Sequence, residues 1–281
     1  MKTKLFFATM VIATVLSCKT SVYYQVYEVQ SQDVKKEGGV LTAENEDCRI
    51  TYNMWSEGGN LCFMIQNKTD KELYVVMPKS FFIFNGLAND YYPQTFHSVP
   101  LANPVMDGIN VKDYITNKSL WYSNLSSASK AYNINMEGKE FICLPPRSAK
   151  YILGFNISNT VYKDCDRREE NYPKDKSNVV TFTKEKSPIT FSNRIAYTFN
   201  EDGSDVHYVE HFFWLSSLTN YSEKAAFSKI HATDCESQMT KQTKLFIVSG
   251  PDMFYNKYSK TSIKYLGNGR DGYLSVKKQR D

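Results

Sequence analysis

Cys48-Arg49-Ile50-Thr51-Tyr52-Asn53-Met54-Trp55 and Leu61-Cys62-Phe63-Met64-Ile65, separated by Ser56-Glu57-Gly58-Gly59-Asn60, carry the period that decides the fold. Side chains alternate across a strand, so Ile50, Tyr52 and Met54 share one face and Thr51, Asn53 and Trp55 the other. Leu61, Phe63 and Ile65 continue the first face beyond the turn. The pattern predicts a β-hairpin with one buried side. With Gly58-Gly59 as a two-residue turn, Trp55 would face Cys62 and Cys48 would lie opposite Thr69, a register that forbids a Cys48–Cys62 disulfide. Trp55 sits beside Met64 on the other face, where it is either covered by another layer or left exposed.

Outward from this hairpin the strand signals recur. Asn67-Lys68-Thr69-Asp70-Lys71 turns the chain into a strand at 73–77, and the strand at 81–84 runs into Asn85-Gly86, a type I′ turn signal, then on through Tyr92. Later strands are expected at 141–144, 151–157, 179–183, 189–199, 206–215, 245–248, 253–258, 263–266 and 273–276, with Asn200-Glu201-Asp202-Gly203 joining two of them. Ser222 is a good N-cap for one short helix over 222–229. Pro93, Pro100 and Pro104 mark 93–140 as loops and as the place where the domain would subdivide. Twenty Tyr and 17 Phe favour sheet over helix and argue against disorder. These signals predict an all-β antiparallel sandwich with long loops and at most one or two short helices. The folded domain is expected over 46–281. Residues 18–45, where Tyr and Val give way to a polar stretch from Gln30 to Gly39, read as an N-terminal tether.

Ahead of the tether, Lys2 and Lys4 precede an apolar run from Leu5 to Leu16, followed by Ser17-Cys18. About a dozen apolar residues fall short of the roughly 20 that a spanning helix needs, so a cleaved targeting segment over 1–17 is the expectation. The pattern resembles a bacterial lipoprotein signal peptide with its lipobox. That likeness implies a diacylglycerol on the Cys18 thiol and a further acyl chain on its amine, with the lipid bilayer as partner.

A second likeness lies in the domain. Asp47-Cys48-Arg49-Ile50-Thr51-Tyr52-Asn53-Met54-Trp55-Ser56-Glu57-Gly58-Gly59-Asn60, Asn67-Lys68-Thr69-Asp70-Lys71 and Ser80-Phe81-Phe82-Ile83-Phe84-Asn85-Gly86 resemble segments of a group of uncharacterised Bacteroidales cell-envelope lipoproteins. Leu144-Pro145-Pro146-Arg147-Ser148 and Ser187-Pro188-Ile189-Thr190-Phe191-Ser192-Asn193-Arg194 look like later elements of the same group. The resemblance covers about 18–220. It implies an outer-membrane location and an immunoglobulin-like sandwich, and it brings no catalytic residues. Surface-exported lipoproteins of these bacteria carry acidic residues just after the acylated cysteine, whereas Lys19-Thr20-Ser21-Val22 follows here, which favours the periplasmic face.

With Cys18 acylated, five cysteines remain, an odd number. Cys165 and Cys235, both in polar, loop-like surroundings, are the candidates for a disulfide. Cys62 and Cys143, flanked by Leu61, Phe63, Ile142 and Leu144, read as small core hydrophobes.

The remaining motifs point away from catalysis. Gly267-Asn268-Gly269-Arg270-Asp271-Gly272 matches G-x-G-x-x-G, yet too little chain follows for the helix and distant acid a dinucleotide site needs, so a hairpin turn explains the glycines better. His207 and His211 share a strand face, but i and i+4 on a strand lie about 13 Å apart, too far for one metal ion. They read as satisfied or exposed strand histidines whose removal would leave the fold intact. Ser127-Ala128-Ser129-Lys130 and Ser275-Val276-Lys277-Lys278 both satisfy S-x-x-K, with no K-T-G after either. Glu169-Glu170 belongs to a charged loop.

No catalytic residue, cofactor or metal is therefore expected. A formal net charge of +4 makes nucleic acid a poor partner. The expected function is that of a membrane-anchored envelope lipoprotein that binds or braces another envelope protein or glycan without catalysis. The alternative is a glycan- or peptidoglycan-acting enzyme, or its carbohydrate-binding accessory module.

Overall fold

The computed structural model describes residues 21–92, 139–163, 168–233, 240–260 and 265–266. They form an all-β, sandwich-like fold. The larger, nine-stranded sheet runs β17 (Met253–Ser259), β1 (Val22–Ser31), β14 (His207–Ser222), β13 (Thr190–Thr198), β6 (Leu73–Val76) and β9 (Phe141–Leu144). Beside this path, β12 (Val180–Thr181) pairs with β14, and β7 (Phe81–Phe84) links β13 to β8 (Leu87–Asp90). The second sheet runs β10 (Ala149–Ile152), β5 (Phe63–Asn67), β4 (Cys48–Tyr52), β3 (Val40–Glu44) and β2 (Lys35–Glu37). Two small pairs stand apart: the antiparallel hairpin of β15 (Phe227–Thr233) and β16 (Thr240–Phe246), and the parallel pair β11 (Val161–Tyr162) and β18 (Tyr265–Leu266). Seven to nine strands make an immunoglobulin domain. What this chain shares with that architecture is two antiparallel sheets closed over one core, not the strand number.

The first hairpin forms with its expected inner face, since Ile50, Tyr52, Met54, Leu61, Phe63 and Ile65 are all buried. Its register differs by two residues: Tyr52 faces Phe63 and Cys48 faces Asn67 rather than Thr69. The cause lies in the connection, where Gly58 and Gly59 do not close a tight turn. Met54 N donates to Pro251 O at 3.0 Å, Gly58 N to Tyr255 O at 2.8 Å and Leu61 N to Phe155 O at 3.0 Å, so neighbouring segments take the backbone groups a longer ladder would have used. An even shift keeps every side chain on its face, which is why the core survives the error. Cys48 and Cys62 are both free. Asn85 and Gly86, with φ of 47° and 84°, make the turn between β7 and β8 with the two positive values a type I′ turn requires.

Three expectations are corrected. The tether over 18–45 is not one from Val22 onward, because Val22–Ser31 is the second strand of the larger sheet, paired with β17 on one edge and β14 on the other. Tyr23, Gln25, Tyr27 and Val29 pack on one side, with Tyr27 stacked on Phe254 at 4.5 Å between ring centroids. Tyr24 and Val26 face the other way and are buried with Phe246 and Tyr221, partly beneath the base of the β15–β16 hairpin. Aromatic and β-branched residues on both faces are the mark of a strand covered on both sides, and the polar stretch after Ser31 obscured it. The helix expected over 222–229 is a single turn, Glu223–Ala226, capped by Ser222 Oγ accepting from Ala225 N at 3.3 Å. The chain then leaves as β15, because Phe227 pairs with Phe246 across the hairpin. The strand expected over 206–215 extends to Ser222, 16 residues in all, since its second half pairs with β1.

Gly154 tests how tightly the β4–β5 connection is packed. A Cβ there would lie 2.1 Å from Leu61 O and 2.8 Å from Cys62 N, both backbone atoms that cannot yield without moving β5. Gly154→Ala is expected to destabilise the fold by about 3 kcal/mol in urea titration. Gly86→Ala, with no atom within 4 Å but φ of +84°, is expected to cost only about 1 kcal/mol. Equal losses would show that the close approach at Gly154 is not a constraint.

Candidate functional site

Three residues picked out from sequence, Cys18, Cys165 and Cys235, lie outside the described residues. Among the described cysteines Cys48 is buried, while Cys62 and Cys143 are half-buried rather than core. Among the described residues no group of His, Cys, Asp and Glu is arranged to hold a metal ion, and no helix is long and apolar enough to cross a membrane.

The two histidines of β14 part company. His207 is half-exposed, 3.8 Å from Asp205. His211 is buried between the sheets, where its Nδ1 lies 2.8 Å from Tyr52 Oη on β4. Asn193 Nδ2 donates to the same hydroxyl at 3.1 Å, and Tyr91 Oη donates to Asn193 Oδ1 at 2.9 Å. Burial drives the His211 pKa down to about 4, with the Asp33 carboxylate opposing, so the imidazole is neutral at pH 7. Because Tyr52 Oη already accepts from Asn193, its proton points to His211 Nδ1, which places the imidazole proton on Nε2. The result is a one-way chain from Tyr91 through Asn193 and Tyr52 to His211, tying the two sheets together. Sequence reading placed Tyr52 and His211 on strands but missed the chain. Its only signal was polar side chains at inward positions of β13 and β14.

His211 also borders a solvent-open cleft of about 220 Å³, together with Asp33, Glu44, Asn45, Cys48 and Val209. The cleft exists because β1 ends at Ser31, paired with Phe213, while β14 continues toward His207. Burial and the nearby Asp47 push the Cys48 thiol up to about 12, so it stays protonated and is a poor nucleophile. Arg49 and Lys68 hold the Glu44 carboxyl below its ordinary range, the opposite of what a general acid needs. Glu210 turns to the outer face, where it accepts from Ser192 Oγ at 2.8 Å. A neutral imidazole, a neutral thiol and a fixed carboxylate can hydrogen-bond a ligand at neutral pH. They do not form an activated nucleophile with its base.

Trp55 is covered. Its ring packs edge-on against Phe246 at 5.0 Å and beside Tyr255 at 5.2 Å. The outer face of β14 carries a different aromatic strip, Tyr208, Phe212 and Trp214, and cations already cap it. The Arg194 guanidinium lies 4.7 Å from the Tyr208 ring centre, and Lys184 Nζ lies 5.0 Å from Phe212 and 5.8 Å from Trp214.

Compared with known proteins, the chain matches no family model, no curated protein and no solved structure.

The sequence suggested that removing both strand histidines would leave the fold intact; with His211 buried against Tyr52, its removal is instead expected to destabilise the fold. The folded imidazole titrates near 4 and the unfolded one near 6.5, so the unfolded chain takes up the proton first as pH falls. The stability His211 contributes is present above about pH 6.5 and is lost progressively toward pH 4, a difference on the order of 3 kcal/mol over the full range. Urea midpoints at about pH 7 and pH 5 should show wild type losing more stability than His211→Gln across that window. Parallel losses would mean that His211 is not the group that titrates.

Proposed function

We propose that this chain is an acylated protein of the cell envelope, held in the outer membrane through Cys18, that binds or braces another envelope component without chemistry of its own. The observation that carries this reading is the short run of sequence between Cys18 and β1. Lys2, Lys4, the apolar run and Ser17-Cys18 support acylation, and at about 0.8 kcal/mol per buried CH2 two or three chains make a stable attachment. β1 starts at Val22, four residues after Cys18. Backbone spans at most about 3.6 Å per residue, so a bilayer-held Cys18 keeps the start of the larger sheet within about 14 Å. Such a link suits a rigid post standing on a membrane, not a module ranging on a leash.

The neutral, hydrogen-bonding groups of the His211 cleft agree with binding rather than turnover. Lys19-Thr20-Ser21-Val22, without an acid, favours the periplasmic face, and the likeness of 47–60 and 80–86 to Bacteroidales envelope lipoproteins points to the same compartment. The alternative, a module that holds or acts on glycans, draws on the outer strip of Tyr208, Phe212 and Trp214. Sugar stacking there requires Arg194 and Lys184 to swing off the rings.

Cys18→Ser is expected to abolish incorporation of radiolabelled palmitate and to move the protein out of the membrane pellet or stall its processing. Palmitate still entering the variant would sink the anchor.

A further inference from the structure

We infer that the end of the sandwich where β1 begins is a docking surface for anionic lipid headgroups, so that the protein stands on the membrane in one orientation with this end down. The inference rests on the acyl anchor at Cys18 and adds which face meets the bilayer.

Val22 pairs with Ser259 and Tyr23 with Ser222, so the C-terminal ends of β17 and β14 flank the start of β1. Around this end stand Lys174, Lys176, Lys224, Lys257 and Lys260, all exposed. The exposed acids among them, of the described residues, are Glu57, Glu169, Asp175 and Glu223, and Glu223 is already paired with Lys244 at 2.7 Å. Beneath the lysines lies tyrosine. Tyr23 packs with Tyr172 and Tyr258, Lys260 Nζ lies 5.4 Å over the Tyr172 ring, and Lys176 Nζ lies 5.7 Å over Tyr221. Lysines above tyrosine rings suit the polar boundary of a bilayer, where an aromatic body and a cationic tip each find a favourable layer.

Geometry brings this surface to the membrane. A link of at most about 14 Å holds the lysines near the headgroups. The negative potential of an anionic surface falls off over about 8 Å at physiological salt, so lysines at this end feel it and those at the far end do not. The far end is marked by Lys68 and Lys71. Tyr197 pairs with His207 at the start of β14 and donates to Asp47, next to Lys68, while Tyr74 pairs with Thr198 just beyond Lys71.

The test is lysine footprinting of the full acylated chain with a water-soluble acetylating reagent, read by peptide mass. The chain is reconstituted in vesicles of phosphatidylcholine with phosphatidylglycerol, in vesicles of phosphatidylcholine alone, and in detergent. Lys174, Lys176, Lys224, Lys257 and Lys260 should react several-fold more slowly on the anionic vesicles than in detergent, with Lys68 and Lys71 unchanged. The combined variant Lys174→Glu, Lys176→Glu, Lys224→Glu and Lys260→Glu alters only exposed side chains and should retain the β-sheet circular dichroism spectrum. In it, Lys257 should lose the protection it shows in wild type. Acylated Cys18 with no slowing at this end would overturn the docking surface and leave the anchor standing. An absence of acyl groups on Cys18 would overturn the anchor and the inference together.

Discussion

β1 is hydrogen-bonded along both edges, to β14 and to β17, and apolar side chains cover both of its faces. A strand in that position needs a layer on either side. The five-stranded sheet supplies one, through the core that joins Tyr27 and Val29 to Ile50, Phe63 and Ile65. The turn Glu223–Ala226 and the base of the β15–β16 hairpin supply the other, through Phe227 and Phe246 against Tyr24. Fully burying one large apolar side chain is worth about 1.5–3 kcal/mol, so the rings on both faces of β1 outweigh any single contact elsewhere. Without β1, β14 and β17 would each present a bare edge, a configuration soluble sheets avoid.

Apolar burial alone would tolerate slippage of such a strand; the polar groups beside it do not. Gln25 on β1 is fully buried, and its Nε2 donates to Tyr162 O and Asn220 Oδ1, both at 2.8 Å, while Tyr162 N donates back to Gln25 Oε1 at 2.7 Å. A shift of one residue would turn Gln25 to the other face and orphan all three bonds, each buried loss costing about 1–3 kcal/mol. The chain from Tyr91 to His211 does the same for the facing sheets, because Tyr52 can satisfy Asn193 and His211 only in one alignment of β4 against β13 and β14. Buried polar networks of this kind select among well-packed alternatives.

The same division separates what could be read in the sequence from what could not. Period-two alternation identified β4 and β5 and set the all-β class, because it reports only which face is inward. The Asn85-Gly86 turn was legible for a local reason: both positions need positive φ. The two-residue register error at Gly58-Gly59 arose because Pro251, Tyr255 and Phe155 claim the backbone of that loop, and they lie far along the chain. β1 was missed because a strand apolar on both faces has no alternation to detect. The Tyr52–His211 contact spans 159 residues, and no local pattern could announce it.

β14 brings these features into one functional frame. It runs 16 residues from the turn near His207 to Ser222 beside the start of β1, with one bulge at Ser216 where its register with β1 shifts. At about 3.3 Å per residue, His211 and its cleft stand roughly 36 Å from Ser222 along a single strand. β13 pairs with its first half and β1 with its second, so the position of the cleft follows from the position of the start of β1 through one continuous sheet. If Cys18 holds that start at a bilayer, the cleft and the capped strip of Tyr208 and Arg194 face away from the membrane at a fixed height. Reach and orientation then come from the sheet itself, and a partner that meets the far end finds it presented at one distance and one angle. That geometry is what a brace requires, and a flexible tether could not provide it.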